Sequence, residues 1–143
     1  MPAFVLDSSV ALAWYLPRQQ TPRTDALMHR MADEGALTTS LWPIEVANVL
    51  LMYERRGQLT AADRVVAISF YNNAPIEVDD QTQARAWGTA YDLALAHKLT
   101  VYDALYLELA LRAGLPLATL DGDLVRAAAK LGVPVLGYSE DED

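Results

Sequence analysis

The sequence predicts an α/β fold: three layers, α/β/α, around a five-stranded, mainly parallel sheet. Three observations predict it. Five short apolar runs alternate with segments of helical periodicity, the order that pairs strands in parallel through crossover helices. The chain has 143 residues, the size of one ordinary domain. It is 52% apolar and 21% charged, enough apolar material to offset chain entropy with one buried core.

The elements follow in order. Phe4 to Leu6 is an apolar run ended by Asp7, and SSVALAWYL continues with helical spacing until Pro17 stops it. Thr21 as cap and Pro22 at the first position open a second helix that runs through Glu34 to Gly35, a left-handed stop. Ala36 to Thr39 is the second strand. Pro43 then opens a long helix, closed by Gly57, with Glu45 in its first turn. Thr60 and Asp63 form a variant capping box heading a helix to about Tyr71, before the Asn72-Asn73 turn and a third strand, Pro75 to Val78.

From Asp80, QTQARAWGTAYDLALAH reads as one helix with an apolar face of Ala84, Trp87, Tyr91 and Ala94, and Gly88 marks close packing. Thr100 and Asp103 repeat the cap-plus-acid pattern at the head of ALYLELALRA, which Gly114 ends. Leu117 to Leu120 is a fourth strand followed by Asp121, GDLVRAAAKL is a last helix closed by Gly132, and Val133 to Leu136 is a fifth strand. Residues 1–138 read as one domain and 139–143 as an acidic tail.

Composition narrows the chemistry. With no cysteine, a disulfide scaffold, thiolate catalysis and Cys-ligated metals are excluded, and a reducing cytoplasm fits. The N-terminus lacks a basic segment before its apolar run, and no apolar stretch approaches the ~20 residues of a membrane span, so the reading is of a cytoplasmic protein without membrane attachment. The net charge of −8 argues at first against nucleic acid. Setting aside four tail acids and five acids that cations would neutralise leaves 10 of the 19 acids against 11 basic residues. Net charge therefore does not decide the partner.

In open parallel sheets, ligands bind beyond the carboxyl ends of the strands, where strand order reverses. Asp7 ends the first strand, Glu45 lies in the first turn after the second, Asp121 and Asp123 follow the fourth, and Asp103 begins a helix at the same edge. Each acid taken alone also reads as a helix-start acid favoured by the dipole, as Asp25, Asp63 and Asp80 do. Asp7 is harder to explain that way, because it sits between an apolar strand and an apolar helix with Arg18 its nearest basic residue in sequence. A buried group of carboxylates stays ionised only if cations fill it. All-oxygen ligands select Mg²⁺ or Mn²⁺ over zinc or copper, and His29 and His97 stand outside the set.

These residues resemble a family. FVLDSSVALAW, PIEVANVL, TVYDALYLELA and LATLDGDL, in this order and spacing, resemble PIN-domain ribonucleases of the VapC toxin type from Phe4 to about Leu136. The resemblance implies a PIN-like fold and a metal-dependent endoribonuclease acting on tRNA, rRNA or mRNA and so inhibiting translation. It also implies a cognate antitoxin of the VapB type and a homodimer. It assigns Asp7, Glu45, Asp103 and Asp121 to the acidic quartet, with Mg²⁺ or Mn²⁺ held by Asp7, Asp103 and Asp121, Glu45 contributing, and Asp123 as an auxiliary acid. Ser9, Asn48 and Thr119 match positions that hydrogen-bond the carboxylates.

Arg18, Arg23, Arg55, Arg56 and Lys98 are candidates for flanking phosphates, and Trp14, Tyr15 and Tyr102 for base stacking, although Arg55 and Arg56 also read as a solvated helix end and the aromatics as core. The helices after Pro22 and Pro43 carry surplus apolar residues that would form a groove for an antitoxin peptide or pack in the core. Two other function classes stay open: a non-catalytic PIN-like module that binds RNA or protein, and a haloacid-dehalogenase-like phosphatase, which needs a second Asp where Ser9 stands.

Overall fold

The computed structural model describes residues 1–139. The expected tail lies outside the described residues from position 140 onward. In chain order the elements are β1 (Val5–Leu6), α1 (Ser8–Ala13), α2 (Pro22–Glu34), β2 (Ala36–Thr38), α3 (Trp42–Arg55), α4 (Ala61–Asn73) and β3 (Ile76–Val78). They continue with α5 (Thr82–Arg85), α6 (Thr89–His97), α7 (Val101–Ala113), β4 (Leu117–Ala118), α8 (Gly122–Lys130) and β5 (Val135–Leu136). The strand order is β3-β2-β1-β4-β5 and every neighbouring pair is parallel. Strand order thus reverses at β1, between β2 on one side and β4 on the other.

Each strand core is apolar because a parallel sheet is covered on both faces. Phe4, Val5, Leu6, Leu117 and Ala118 have no exposed surface. The central helix is α7, whose residues Ala104 to Ala110 are all buried. A helix that is apolar all round belongs inside, and α7 packs against β1, β4, α5, α6 and α8. Full burial of a side chain such as Leu107 contributes roughly 2 kcal/mol.

The helix starts follow their caps. Thr21 and Thr24 form a reciprocal capping box with Pro22 at N1, and Thr60 and Asp63 form another. Gly35 ends α2 at φ +82°, where a side chain would also meet the Pro75 carbonyl oxygen at 3.2 Å, so both backbone and space require glycine.

Three local expectations are corrected. The first helix ends at Ala13 rather than at Pro17, since the Trp14 and Tyr15 amides turn back to the Ala11 and Leu12 carbonyls, and the Trp14 indole is buried and donates to the Thr24 carbonyl at 2.8 Å. The stretch from Asp80 is two helices, broken around Gly88, and no atom comes within 4 Å of where a Cβ would stand there. Trp87 is 96% exposed and Ala84 and Tyr91 also face solvent; of the four expected positions Ala94 is the buried one, and Ala90 joins it on the inner face. The small pair lets α6 lie close against Ala104 and Leu105 of α7, which larger side chains would prevent.

Candidate active site

Asp7 follows β1 directly and is 4% exposed. Its Oδ2 accepts from Ser9 Oγ at 2.6 Å and from Thr119 Oγ1 at 2.8 Å. Each hydroxyl is itself oriented by a backbone amide: Leu120 N–H donates to Ser9 at 2.9 Å and Asp121 N–H to Thr119 at 3.0 Å. The two hydroxyls therefore tie the end of β1 to the end of β4, where strand order reverses. Burial raises the Asp7 pKa, the bonds from Ser9 and Thr119 oppose the rise, and the Asp121 charge adds to it.

Asp121 caps α8. Its Oδ1 accepts from the amides of Asp123 at 2.8 Å and Leu124 at 3.1 Å. Glu45, in the first turn of α3, is half-buried, and its Oε1 accepts from the Tyr106 hydroxyl at 2.5 Å. Burial raises its pKa, the Tyr106 bond lowers it, and the Asp7 charge raises it. Asp103 lies in the first turn of α7, with its amide held by Thr100 Oγ1 at 3.1 Å. Asp63 closes the capping box onto the residue before its helix, whereas Asp103 forms no such box. Its pKa is pushed up to about 6, by burial first and then by the charges of Asp121, Asp7 and Glu45.

The four acids, one from each crossover unit, stand along one edge of the sheet, and Asp103 feels the charges of the other three. Among the ion pairs of the described residues, none involves any of the four. In Asp7, Asp121 and Glu45 the bonds named above fall on a single oxygen, leaving the second without a side-chain donor among the described residues. That donor chemistry suits a hard divalent cation. As the side chains stand, no three acids among the described residues are gathered closely enough to enclose an ion.

Two expected members lie elsewhere. Asn48 is exposed, and its amide reaches Met52 Sδ at 3.8 Å rather than a carboxylate. The buried stripe of α3 is Trp42, Val46 and Leu50, so at about 100° per residue Asn48 points roughly 160° from its centre while Glu45 sits on its flank. Asp123 is also exposed, and its carboxylate pairs with Arg126 at 3.0 Å.

Of the basic candidates, Lys98 caps α6 beside the start of α7, while Arg55 and Arg56 are at the far end of α3, about 15 Å along the helix from Glu45. Of the aromatics, Tyr102 is exposed, whereas Tyr15 packs on Phe70 and Tyr71. The apolar groove lies between α3, α4 and β3 instead of between the helices after Pro22 and Pro43; it holds about 340 Å³ and is lined by Trp42, Val46, Leu50, Ile68 and Val78 among others.

Sequence reasoning missed Tyr106, whose only signal is its place three residues after Asp103, on the same helix face. It also missed Glu108, a carboxylate 3% exposed on α7. Glu108 is bound through two oxygens by Arg112, which also grips Asp79 at 2.8 and 3.1 Å. Thr82 extends this cluster to the Ser40 amide, in the turn leading to α3.

Known proteins share this fold. The profile described as PIN domain matches residues 4–130. Ribonuclease VapC3 of Pyrobaculum aerophilum is 29% identical over 130 residues, covering 91% of this chain and 98% of that protein. The crystal structure of PAE2754 from Pyrobaculum aerophilum superposes with a TM-score of 0.69 at 21% identity, over 94% of this chain and 83% of that one. The crystal structure of FitAcB from Neisseria gonorrhoeae gives 0.65 at 17% identity, over 94% and 96%. At such identities the two structures speak to fold alone.

Proposed function

The chain belongs to the PIN-domain family, and on that premise we propose that it is a metal-dependent endoribonuclease toxin of the VapC type, hydrolysing phosphodiester bonds in RNA. The observation that carries the reading is that Asp7, Glu45, Asp103 and Asp121 stand at strand ends and helix starts along the edge where strand order reverses, near enough for the other three charges to raise the Asp103 pKa. The relative named Ribonuclease VapC3, matched along nearly its whole length, supports RNA as substrate. The phosphatase alternative has Ser9 where its second Asp is needed, and the family match gives it no support.

Mg²⁺ or Mn²⁺ would be held by Asp7, Asp103 and Asp121, with Glu45 alongside; when bound, such an ion supplies neutralisation of phosphate charge and an acidified water. The protein's own part is positional. Ser9 and Thr119 fix the rotamer of Asp7, and the first turn of α8 fixes Asp121. Glu45 would orient an attacking water. Lys98, at the same edge, is suited to a flanking phosphate.

A cognate antitoxin is the proposed partner, seated on the apolar groove of α3 and α4, beside which Ile44 and Leu51 are exposed. Toxin and antitoxin would meet in the cytoplasm, and the toxin would be a homodimer whose activity inhibits translation. Among the described residues no helix is long and apolar enough to cross a membrane.

The test is cleavage of a labelled cellular RNA pool with Mg²⁺, Mn²⁺ or chelator, by wild type and by Asp7→Asn and Asp103→Asn. Metal-dependent cleavage by wild type, reduced at least about 100-fold in both variants, is expected. Equal cleavage by all three proteins would overturn the reading.

A further inference from the structure

Tyr106 is fully buried in α7, and a buried phenol needs a hydrogen-bond partner. Its partner is one oxygen of Glu45, 61 positions away, at 2.5 Å. Thr39 Oγ1 is also buried and adjoins the phenol, yet it completes no hydrogen bond of regular geometry among the described residues. The phenol therefore has one firm bond, and it is to an acid of the cluster.

Glu45 needs such a hold. It stands in the first turn of α3 between exposed Ile44 and buried Val46, and a side chain with three rotatable bonds at that rim has open solvent available. An acid serving only the dipole of α3 would face that solvent. Glu45 is instead half-buried, with Oε1 turned inward onto the Tyr106 hydroxyl, where it feels the charge of Asp7. The group that turns it belongs to α7, one helical turn after Asp103, so two facing elements of the cluster are set by a single rigid, buried helix.

From this geometry we infer that Tyr106 is a positioning residue: its phenol pins Oε1 of Glu45 and so presents Oε2 to the acidic cluster. The inference rests on the nuclease reading above and adds to it the role of a residue outside the acidic set. A phenol that merely fills the core would bond Glu45 without affecting what the acid does.

The experiment uses the full chain with Mn²⁺ and a labelled RNA, and measures kcat, KM and, by calorimetry without RNA, Mn²⁺ affinity. Tyr106→Phe keeps the ring and loses the hydroxyl. Expected are a fall in kcat of about 10-fold or more, a KM within about 2-fold of wild type, and Mn²⁺ binding weakened about 10-fold. In a Glu45→Gln background, adding Tyr106→Phe should change kcat by less than about 2-fold, because the group it acts through is already altered.

Glu45→Asp keeps every core side chain and is read beside it: one methylene shorter, its carboxylate leaves the phenol, and Mn²⁺ affinity should fall by a similar factor. Wild-type kcat and Mn²⁺ affinity in Tyr106→Phe would overturn the inference. So would an equal loss in both backgrounds, which marks a role in the fold, and, if Tyr106→Phe does not fold, unchanged Mn²⁺ affinity in Glu45→Asp. Failure of the nuclease reading is distinguishable, since Asp103→Asn would then cleave like wild type; that result takes the inference with it.

Discussion

Thr119 donates a hydrogen bond of 2.8 Å to Asp7 across 112 positions of sequence. The same hydroxyl accepts from the Asp121 amide, so one small side chain orients a buried carboxylate and anchors the loop that carries the next acid.

Replacing Thr119 by Val keeps its shape and removes that hydroxyl. Asp7 loses a donor, and the Asp121 amide loses its acceptor. Stability should fall by about 1–3 kcal/mol in urea unfolding, and RNA cleavage by about 10- to 100-fold. Thr119→Ser should retain most of both. A fully active Thr119→Val protein would mean that Ser9 alone suffices to hold Asp7.

The raised Asp103 pKa has a definite sign. Unfolded, the group ionises near 3.8; folded, near 6. Between those values the native chain keeps a proton that the unfolded chain has released, so stability falls as pH rises through the window and stays lowered above it. Without metal, Asp103→Asn should therefore be more stable than wild type at pH 7 and nearly equal to it at pH 4. Urea midpoints in chelator measure this, and equal midpoints at pH 7 would contradict it. Added Mn²⁺ should raise the wild-type midpoint more than that of the variant.

Arg112 grips Glu108 and Asp79 at once, and its loss would leave buried Glu108 with only Arg85, 3.8 Å away. Arg112→Met should cost about 2–3 kcal/mol of stability. Specific activity of the folded fraction should change little. Adding Glu108→Leu should recover stability, because a buried charge without its partner costs more than an apolar side chain of similar size. Calorimetric Tm values of the single and double variants decide it.

Asp123→Asn should cleave RNA within about 3-fold of wild type, since its carboxylate is exposed and engaged with Arg126. The loss expected from Asp121→Asn is far larger. A comparable loss in both would place Asp123 among the ligands after all.

What the sequence made legible follows a physical line. The strands were readable because a parallel sheet is covered on both faces, so the central β1 and β4 are short, fully buried apolar runs, and the others are mostly apolar runs bounded by helix stops. Asp7, Glu45, Asp103 and Asp121 were readable because strand ends and helix starts share one edge. Features set by partners far away were not. Tyr106 reads as one more core residue in Ala-Leu-Tyr-Leu until Glu45 stands opposite it. The inner face of α6, where Ala90 joins the expected Ala94 while Tyr91 and the preceding Trp87 face outward, depends on how closely α7 approaches. Asn48 looked like a neighbour of Glu45 by spacing, yet the buried stripe of α3 turns it away.

The strand order has a consequence for synthesis. The acids come from four successive crossover units, and β4 inserts beside β1 only after α7 has been made. A nascent chain that has not yet emerged past Thr119 and Asp121 lacks both the hydroxyl that orients Asp7 and one of the four carboxylates. Under the nuclease reading, the ribosome translating this message works beside an inert product until about the last sixth of the chain appears. Premature termination upstream of that point yields harmless fragments.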